Sequence, residues 1–194
     1  MTGSLAYRKN EAAILGGDVP DKYLRLLPHI PGDRILELGS AEGVLALLMA
    51  KGGRDVAALE KSQERHDAAL GLRDQWARGD ARLNSVRFIN GDIRDHLFLL
   101  NQTDTLVAVR MIYYLRGDLD TVFAEVARKV SNVVLCGNRN RANRWRAGEA
   151  DEPGGPHNKY ASREGMKDLL TRHGYRIVAE VTDSDEIVVG RKDV

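Results

Sequence analysis

The sequence predicts an α/β domain with a mostly parallel β-sheet, helices on both faces and an antiparallel hairpin at its C-terminus. Strand-like and helix-like patterns alternate from residue 34 to residue 173, which is typical of parallel strands joined by crossover helices. The first strand runs directly into a turn with Gly39 and Gly43 and then into a helix. Two β-rich runs, 175–181 and 186–190, are joined by four turn-forming residues and predict the hairpin.

Composition is that of an ordinary globular enzyme. The chain has 194 residues, 43% hydrophobic and 29% charged, which predicts a single domain with a substantial core. A net charge of +1 does not call for nucleic acid or an anionic membrane as a partner. One cysteine, Cys136, excludes an intramolecular disulfide, and no apolar run of membrane-spanning length or signal-peptide pattern is present. We therefore expect a cytoplasmic protein, of an oligomeric state that the sequence does not specify.

Residues 1–30 are predicted to form a segment that caps the domain. Pro20 suits the first turn of a short helix that includes Tyr23 and that Pro28 ends. The helix is expected to cover the sheet, and the alternative is that Tyr7 or Tyr23 closes over a ligand.

The turn after the first strand is the predicted ligand site. Gly39 and Gly43 can adopt positive φ or let the backbone approach a ligand closely. A dinucleotide would require bare donors in a G-x-G-x-x-G pattern, but Ala41 occupies the second glycine position and Glu42 would repel a phosphate. S-adenosylmethionine carries an ammonium and no phosphate, and Glu37 at the strand end is placed to accept hydrogen bonds from that ammonium. The loop therefore favours S-adenosylmethionine over a dinucleotide.

Two further carboxylates follow the next two strands. Glu60 ends the predicted strand 55–60, where a carboxylate can bind both hydroxyls of a ribose, or can serve as a favourable charge beside the helix that Ser62 opens. Asp92 follows the predicted strand 85–90, where it can accept from an adenine amino group while Ile93 lies on the ring, or can simply cap a turn.

The second half of the chain continues the pattern. Arg110, Met111, Tyr113 and Tyr114 follow the fourth strand and either face the reactive end of a bound cofactor or pack in the core. The remaining predicted elements are a helix from Ser62 to about Gly79, strand Thr105–Val109, a helix capped by Asp118 that runs to Val130, strand Asn132–Cys136 and a helix from Ser162 to His173.

Residues 137–161 have no clear periodicity and are predicted to be a substrate loop. Arg139, Arg141 and Arg144 in its basic first half are the arginines that could hold a carboxylate or phosphate of an acceptor. The same arginines could bind RNA beside Trp145. A third possibility is a solvated helix start with ion pairs inside the loop.

Together, Glu37-x-Gly-x-Ala-x-Gly43, Glu60, Gly91-Asp92-Ile93 and the terminal hairpin resemble a class I S-adenosylmethionine-dependent methyltransferase. The resemblance implies a Rossmann-like sheet of seven strands in which the last is antiparallel and inserted beside the fifth. It also implies that Glu37, Gly39, Ala41 and Gly43 surround the methionine moiety, Glu60 the ribose and Asp92 the adenine. Ser40, Lys61, Ile93 and Arg110 complete the predicted cofactor-binding set.

The acceptor is less clearly indicated. The Asn/Asp-Pro-Pro-Tyr signature of methylation on planar nitrogens is absent after the fourth strand, and Arg110 stands where catechol-type enzymes place an acidic metal ligand, so no metal is expected. His157 and Tyr113 are the candidate catalytic bases or orienting groups, and Tyr114, Arg139, Arg141 and Arg144 the candidate substrate-binding residues. The leading hypothesis is a methyltransferase that acts on a small polar or anionic molecule. The alternatives are an RNA methyltransferase and a non-catalytic binder of the cofactor.

Overall fold

The computed structural model describes residues 19–153, 155–182 and 185–193. Tyr7 and residues 183–184 of the predicted hairpin turn lie outside these ranges. The seven described strands are β1 (Arg34–Leu38), β2 (Asp55–Glu60), β3 (Arg87–Asn90), β4 (Thr105–Val109), β5 (Asn132–Cys136), β6 (Arg176–Thr182) and β7 (Glu186–Arg191). The described α-helices are α1 (Asp21–Leu26), α2 (Val44–Lys51), α3 (Gln63–Trp76), α4 (Leu119–Lys129), α5 (Arg139–Arg146) and α6 (Arg163–Arg172).

The strands form one sheet in the order β3-β2-β1-β4-β5-β7-β6. Strands β1 to β5 pair in parallel, whereas β7 is antiparallel to both β5 and β6. The predicted fold class is therefore confirmed, including a last strand inserted beside the fifth. Since β1 lies beside both β2 and β4, the loops after β1 and β4 leave the sheet in different directions and open a crevice between them.

Two apolar clusters cover the two faces of the sheet. One includes Phe123 of α4 and Leu169 of α6 together with Leu36 of β1, and the other includes Leu26 of α1 and Leu47 of α2. Successive residues of a strand point to opposite faces, so Leu36 and its neighbour in β1 enter different clusters. Both faces are thereby buried, as parallel sheets require.

Cys136, at the end of β5, lies in the cluster that also contains Tyr23 and Leu26 of α1. Its side chain is 3% exposed, and burial raises the pKa of its thiol to about 12. The thiol is therefore a small apolar core group at neutral pH.

Three details differ from the sequence-based expectations. The chain before β3 forms a 3₁₀ turn at Ala81–Ser85, so β3 begins at Arg87 instead of residue 85. Asp118 occupies the N-cap position of α4 but makes no side-chain cap, because its carboxylate accepts a hydrogen bond from Arg94 Nη1 at 2.8 Å. The predicted loop 137–161 contains α5 and a 3₁₀ turn at Asn158–Ala161.

Candidate functional site

A cavity of about 560 Å³ opens at the carboxyl ends of β1, β2, β3 and β4. Its walls come from the loops that follow these strands and from α1. This is the crevice where open α/β sheets bind ligands, and its volume suits a nucleoside-sized molecule. Glu37, Glu60 and Asp92 all line this one cavity, so the structure brings the three predicted carboxylates together.

The turn after β1 is held against β2. Gly39 and Ala41 have φ of 67° and 50°, and the Ala41 N–H donates to Glu60 Oε2 at 2.9 Å. A left-handed backbone costs a residue with a Cβ about 1 kcal/mol, and the hydrogen bond to Glu60 helps to offset that cost. Both residues line the cavity.

Gly43 and Ser40 do not line the cavity, although both were predicted to bind the cofactor. Gly43 has φ of 78°, and a Cβ there would lie 2.5 Å from the ring of Phe88. Its glycine is therefore needed for helix-to-sheet packing. Ser40 is buried, and no described residue bonds its hydroxyl.

Glu37 is the most deeply buried carboxylate of the cavity, at 2% exposure. The Ala46 backbone N–H donates to this carboxylate, and no described group donates to Oε2. Burial, followed by the charge of Glu60, raises the pKa of Glu37 to about 8. A buried carboxyl with one open oxygen at a cavity wall is suited to accept hydrogen bonds from a cationic ligand group.

Glu60 is buried at the end of β2 with both oxygens oriented by the backbone. Oε2 accepts from the Ala41 N–H at 2.9 Å and Oε1 accepts from the Ser62 N–H at 2.8 Å. Each oxygen keeps one acceptor position, which is the geometry needed to accept from two adjacent hydroxyls. The carboxylate thus holds the glycine turn in place and can still bind a ribose.

Asp92 is surrounded by donors from its own loop. Its Oδ1 accepts from the Arg94 N–H and Nε at 3.1 and 2.8 Å, and its Oδ2 accepts from Arg94 Nη2 at 2.5 Å and Lys61 Nζ at 3.1 Å. The hydrogen bonds with Arg94 hold the pKa of Asp92 well below its usual range. A carboxylate offers about four acceptor positions, so an adenine amino group must displace one of these donors. Lys61, whose side chain is 72% exposed, is the donor most easily displaced.

The cations of the cavity wall include Arg110, which was predicted, and Lys22, which was not. Lys22 and Tyr23 of α1 line the cavity together with Arg110 after β4. Arg110 has φ of 54° and forms an ion pair with Asp185 beside β7, whereas no described carboxylate lies within ion-pair distance of Lys22. Burial and then the charge of Arg110 lower the pKa of Lys22. The sequence predicted Arg110 as a cofactor-binding residue and offered Tyr23 as a residue that could close over a ligand, whereas no sequence motif included Lys22.

The other residues of the cavity wall fall into two groups. Ile93, Lys61 and Tyr114 were predicted and line the cavity. Met111, which the sequence placed among the residues that either face the cofactor or pack in the core, also lines the cavity. The lining residues that sequence analysis did not assign to the site are Lys22, Leu38, Glu42, Leu59, Arg65, Gly91, Arg94, Val109 and Leu115. Of these, Glu42 lies within the glycine turn, and its place in that turn was the sequence signal for a position in the cavity wall.

The two predicted catalytic residues do not line the cavity. His157 is exposed, with its backbone N–H donating to the Tyr113 carbonyl at 2.9 Å and its ring centroid 6.2 Å from that of Tyr160. Tyr113 is buried, shares a hydrogen bond with Asn138, and burial raises its pKa to about 12. In this conformation neither side chain belongs to the cavity wall.

The predicted substrate-binding arginines separate into different environments. Arg144 Nε lies 2.7 Å from Glu149, and Arg144 Nη2 lies 3.7 Å from Glu152, which are ion pairs inside the segment. Arg139 is exposed at the start of α5 and does not line the cavity. Arg141 lies over the rings of Tyr113 and Tyr114, and Tyr114 belongs to the cavity wall. Arg141 is thereby connected to the cavity through Tyr114.

The described residues contain neither a metal-binding cluster nor a helix able to span a membrane. No group of three or more His, Cys, Asp or Glu side chains in those ranges is arranged to hold a metal ion. None of the helices found there has the length and apolar composition needed to cross a bilayer.

Comparison with known proteins adds an independent observation. A family model described as a methyltransferase domain matches residues 7–180. The ribosomal RNA small subunit methyltransferase A of Deinococcus radiodurans is 35% identical over 105 residues, which are 54% of this chain and 33% of that protein. The chain thus covers about a third of the length of this relative.

Solved structures with the same fold were also found. The N-terminal domain of EvdMO1 with bound S-adenosylhomocysteine has a TM-score of 0.62 at 20% identity, over 89% of this chain and 80% of that one. Magnesium protoporphyrin IX methyltransferase (ChlM) from Synechocystis PCC 6803 with bound S-adenosylmethionine has a TM-score of 0.60 at 15% identity, over 100% and 87% of the two chains. At these identities the likeness shows the fold.

Proposed function

The chain belongs to the methyltransferase domain family, among the class I S-adenosylmethionine-dependent methyltransferases, and we propose that it methylates a small polar or anionic molecule. The observation that carries the choice of acceptor is Lys22 of α1, a cation of the cavity wall with no described carboxylate within ion-pair distance. A cation in the cavity wall attracts and orients an acceptor with an acidic group.

The cavity fits S-adenosylmethionine as the methyl donor. Its ammonium, ribose hydroxyls and adenine amino group are all hydrogen-bond donors, and Glu37, Glu60 and Asp92 are acceptors spaced along one cavity. The open Oε2 of Glu37 is a buried acceptor that lacks a donor within the described chain, which supports a ligand cation at that point. Gly39 supports a close approach of ligand to backbone at the turn.

When bound, S-adenosylmethionine would supply a methyl group on a sulfonium: the nucleophile of the acceptor bonds to the methyl carbon as the carbon–sulfur bond breaks, and the electron pair leaves with sulfur as the thioether of S-adenosylhomocysteine. The contribution of this chain is to hold the acceptor in line and to exclude water. A hydroxyl or ammonium acceptor also loses a proton. His157 and Tyr113 remain proposals for that role, although neither side chain lines the cavity in this conformation.

The ion pairs made by the arginines of α5 support a small acceptor over RNA. Arg144 is paired with Glu149 and Glu152, and Arg146 is paired with Glu186 at 2.8 Å and with Glu164 at 2.6 Å. Arginines neutralised by neighbouring carboxylates contribute little to a phosphate-binding surface.

The test is transfer of labelled methyl groups from S-adenosylmethionine into a cell extract that is then fractionated into small molecules, RNA and protein. The proposal expects label in the small-molecule fraction. Glu60→Ala, which removes the ribose acceptor, serves as the inactive control. Label confined to RNA or protein would contradict the proposed acceptor class, and an absence of label in every fraction would favour the non-catalytic binder.

RNA is a second candidate because of the similarity to the ribosomal RNA methyltransferase of Deinococcus radiodurans. This hypothesis expects binding to bulk ribosomal RNA at low salt that weakens steeply as salt is added, by roughly one phosphate's slope for each arginine in contact. Undetectable binding at low salt would remove it.

A further inference from the structure

An exposed tyrosine stands at the mouth of the cavity. Tyr114 lines the cavity, and 56% of its surface is accessible. Its neighbour Tyr113 is buried, with the two ring centroids 4.8 Å apart at an interplanar angle of 48°. Tyr113 thus supports the ring of Tyr114 from the protein side. An aromatic ring left exposed at a cavity and fixed from behind is a surface suited to stacking.

A guanidinium lies on the same pair of rings. The Arg141 Cζ is 5.5 Å from the Tyr113 centroid and 5.7 Å from the Tyr114 centroid. Its Nη1 donates to Asn158 Oδ1 at 3.3 Å, which leaves most of its five N–H donors for other acceptors. The position of Arg141 is thereby fixed on two sides.

Arg141 also differs from its neighbours on α5 in its charge partners. Arg144 and Arg146 are paired with carboxylates, whereas no described carboxylate lies within ion-pair distance of Arg141. A fixed guanidinium without a carboxylate, beside a ligand cavity, is suited to bind an oxyanion in a bidentate manner.

We propose that the methyl acceptor is a planar aromatic acid, whose ring stacks on Tyr114 and whose acidic group is held by Arg141. This inference rests on the proposed function, since it names the class of small molecule that the same site accepts. The ring supplies a flat apolar contact, and the guanidinium supplies a charge at its side. An aliphatic acid would use only the charge, and a neutral aromatic molecule would use only the ring. An RNA base can also stack on a tyrosine, and that occupant is an outcome of the test.

The test uses three probes that separate ring from charge. 2-Naphthoate has both features, decahydro-2-naphthoate has the acid without the planar ring, and 2-naphthamide has the ring without the acid. Each is titrated into the protein saturated with S-adenosylhomocysteine and followed by ligand-observed NMR. We expect 2-naphthoate to bind at least tenfold more tightly than either analogue.

Substitutions at Tyr114 and Arg141 test whether 2-naphthoate binds at these two residues. Tyr114→Leu and Arg141→Gln are each expected to weaken 2-naphthoate binding at least tenfold. A second tyrosine–arginine pair provides matched controls, because Arg172 Cζ lies 5.5 Å from the Tyr160 centroid and neither residue lines the cavity. Tyr160→Leu and Arg172→Gln are expected to change the affinity less than twofold, with circular dichroism to show that all four variants fold.

Several outcomes would overturn the inference. These are undetectable 2-naphthoate binding, equal affinity for either analogue, or unchanged affinity in Tyr114→Leu or Arg141→Gln. Displacement of bound 2-naphthoate by a ribosomal RNA fragment would assign the surface to RNA instead. The extract experiment separates this failure from that of the proposed function. A labelled small molecule without an aromatic acid overturns the inference alone, whereas label in RNA alone overturns both.

Discussion

Replacing Glu37 by glutamine should remove a pH dependence of stability that one buried carboxyl causes. Glu37 is 2% exposed, and burial together with the charge of Glu60 raises its pKa from an ordinary 4.5 to about 8. The folded protein therefore holds this proton more tightly than the unfolded chain does. The stabilisation that results is fully present below about pH 4.5 and is lost as the pH rises through about 8.

The expected loss follows from the two pKa values. At 1.36 kcal/mol for each unit, the contribution of Glu37 to the free energy of unfolding falls by about 2 kcal/mol between pH 6 and pH 8. Glutamine does not titrate, so Glu37→Gln should lack this component. The contributions of groups that both proteins share cancel in the difference between them.

The assay is urea unfolding of the ligand-free wild type and Glu37→Gln at several values between pH 6 and pH 8. The wild type should lose stability relative to the variant by about 2 kcal/mol across this range. Glu180→Gln is the control, because Glu180 lies on β6 and does not line the cavity. Its Oε1 is 2.7 Å from Lys167 Nζ. Parallel curves for wild type and Glu37→Gln would refute the argument that Glu37 is protonated in the ligand-free protein.

The same carboxyl should couple ligand binding to proton release. An ammonium beside Glu37 favours its ionised form, so binding of S-adenosylhomocysteine at pH 7 should release roughly one proton per molecule. Calorimetry in two buffers of different ionisation enthalpy measures this number. No release by the wild type, or the same release by Glu37→Gln, would show that the ammonium lies elsewhere.

Three other substitutions test the rest of the site. Glu60→Gln places an amide NH₂ against the N–H of Ala41 or Ser62, which should lower the free energy of unfolding in urea by about 1–3 kcal/mol. The same substitution should weaken S-adenosylhomocysteine binding tenfold or more in calorimetry, and an unchanged affinity would exclude the ribose role. Lys61→Met should change the free energy of unfolding by less than about 1 kcal/mol. It should keep or improve the affinity for S-adenosylhomocysteine, since it frees an acceptor position on Asp92, whereas a tenfold loss of affinity would show that Lys61 contacts the ligand directly. Gly43→Ala should destabilise the protein by about 2 kcal/mol, because Gly43 has a positive φ and a Cβ there would meet the Phe88 ring. Gly71→Ala on α3 is the control: its Cβ would meet nothing within 4 Å, so this substitution should stabilise the protein by about 0.5–1 kcal/mol. Equal effects of the two substitutions would contradict the packing role of Gly43.

The sheet and the carboxylates of the cavity could be predicted because both follow from local pattern. Parallel strands bring their carboxyl ends to one edge, so an acidic residue at the end of β1, of β2 or after β3 must reach the same side of the sheet. Glu37, Glu60 and Asp92, which line one cavity, could therefore be grouped from the sequence alone. The antiparallel β7 followed from two strand patterns joined by turn residues.

The hydrogen-bond partners of side chains, and helices without an apolar face, could not be predicted in this way. Helix α5 buries only Ala142, so its sequence has no apolar period and reads as a loop. The hydrogen bonds that fill the acceptor positions of Asp92 come from Lys61 and Arg94, whose side-chain directions are not encoded in spacing. His157 is a base in a long segment, which predicts a catalytic role, and in the structure its backbone N–H donates to Tyr113 while its side chain does not line the cavity.

The buried thiol of Cys136 gives the wild-type chain an internal reporter. As the one cysteine in the sequence, it offers a reagent such as a disulfide dye a single point of attack. That point is shielded from solvent in the same apolar cluster as Tyr23 and Leu26, so modification must wait until this part of the fold opens. The modification rate therefore measures how often this cluster opens, without any introduced probe. Since α1 also carries Lys22 at the cavity mouth, a ligand that engages the helix should slow the reaction.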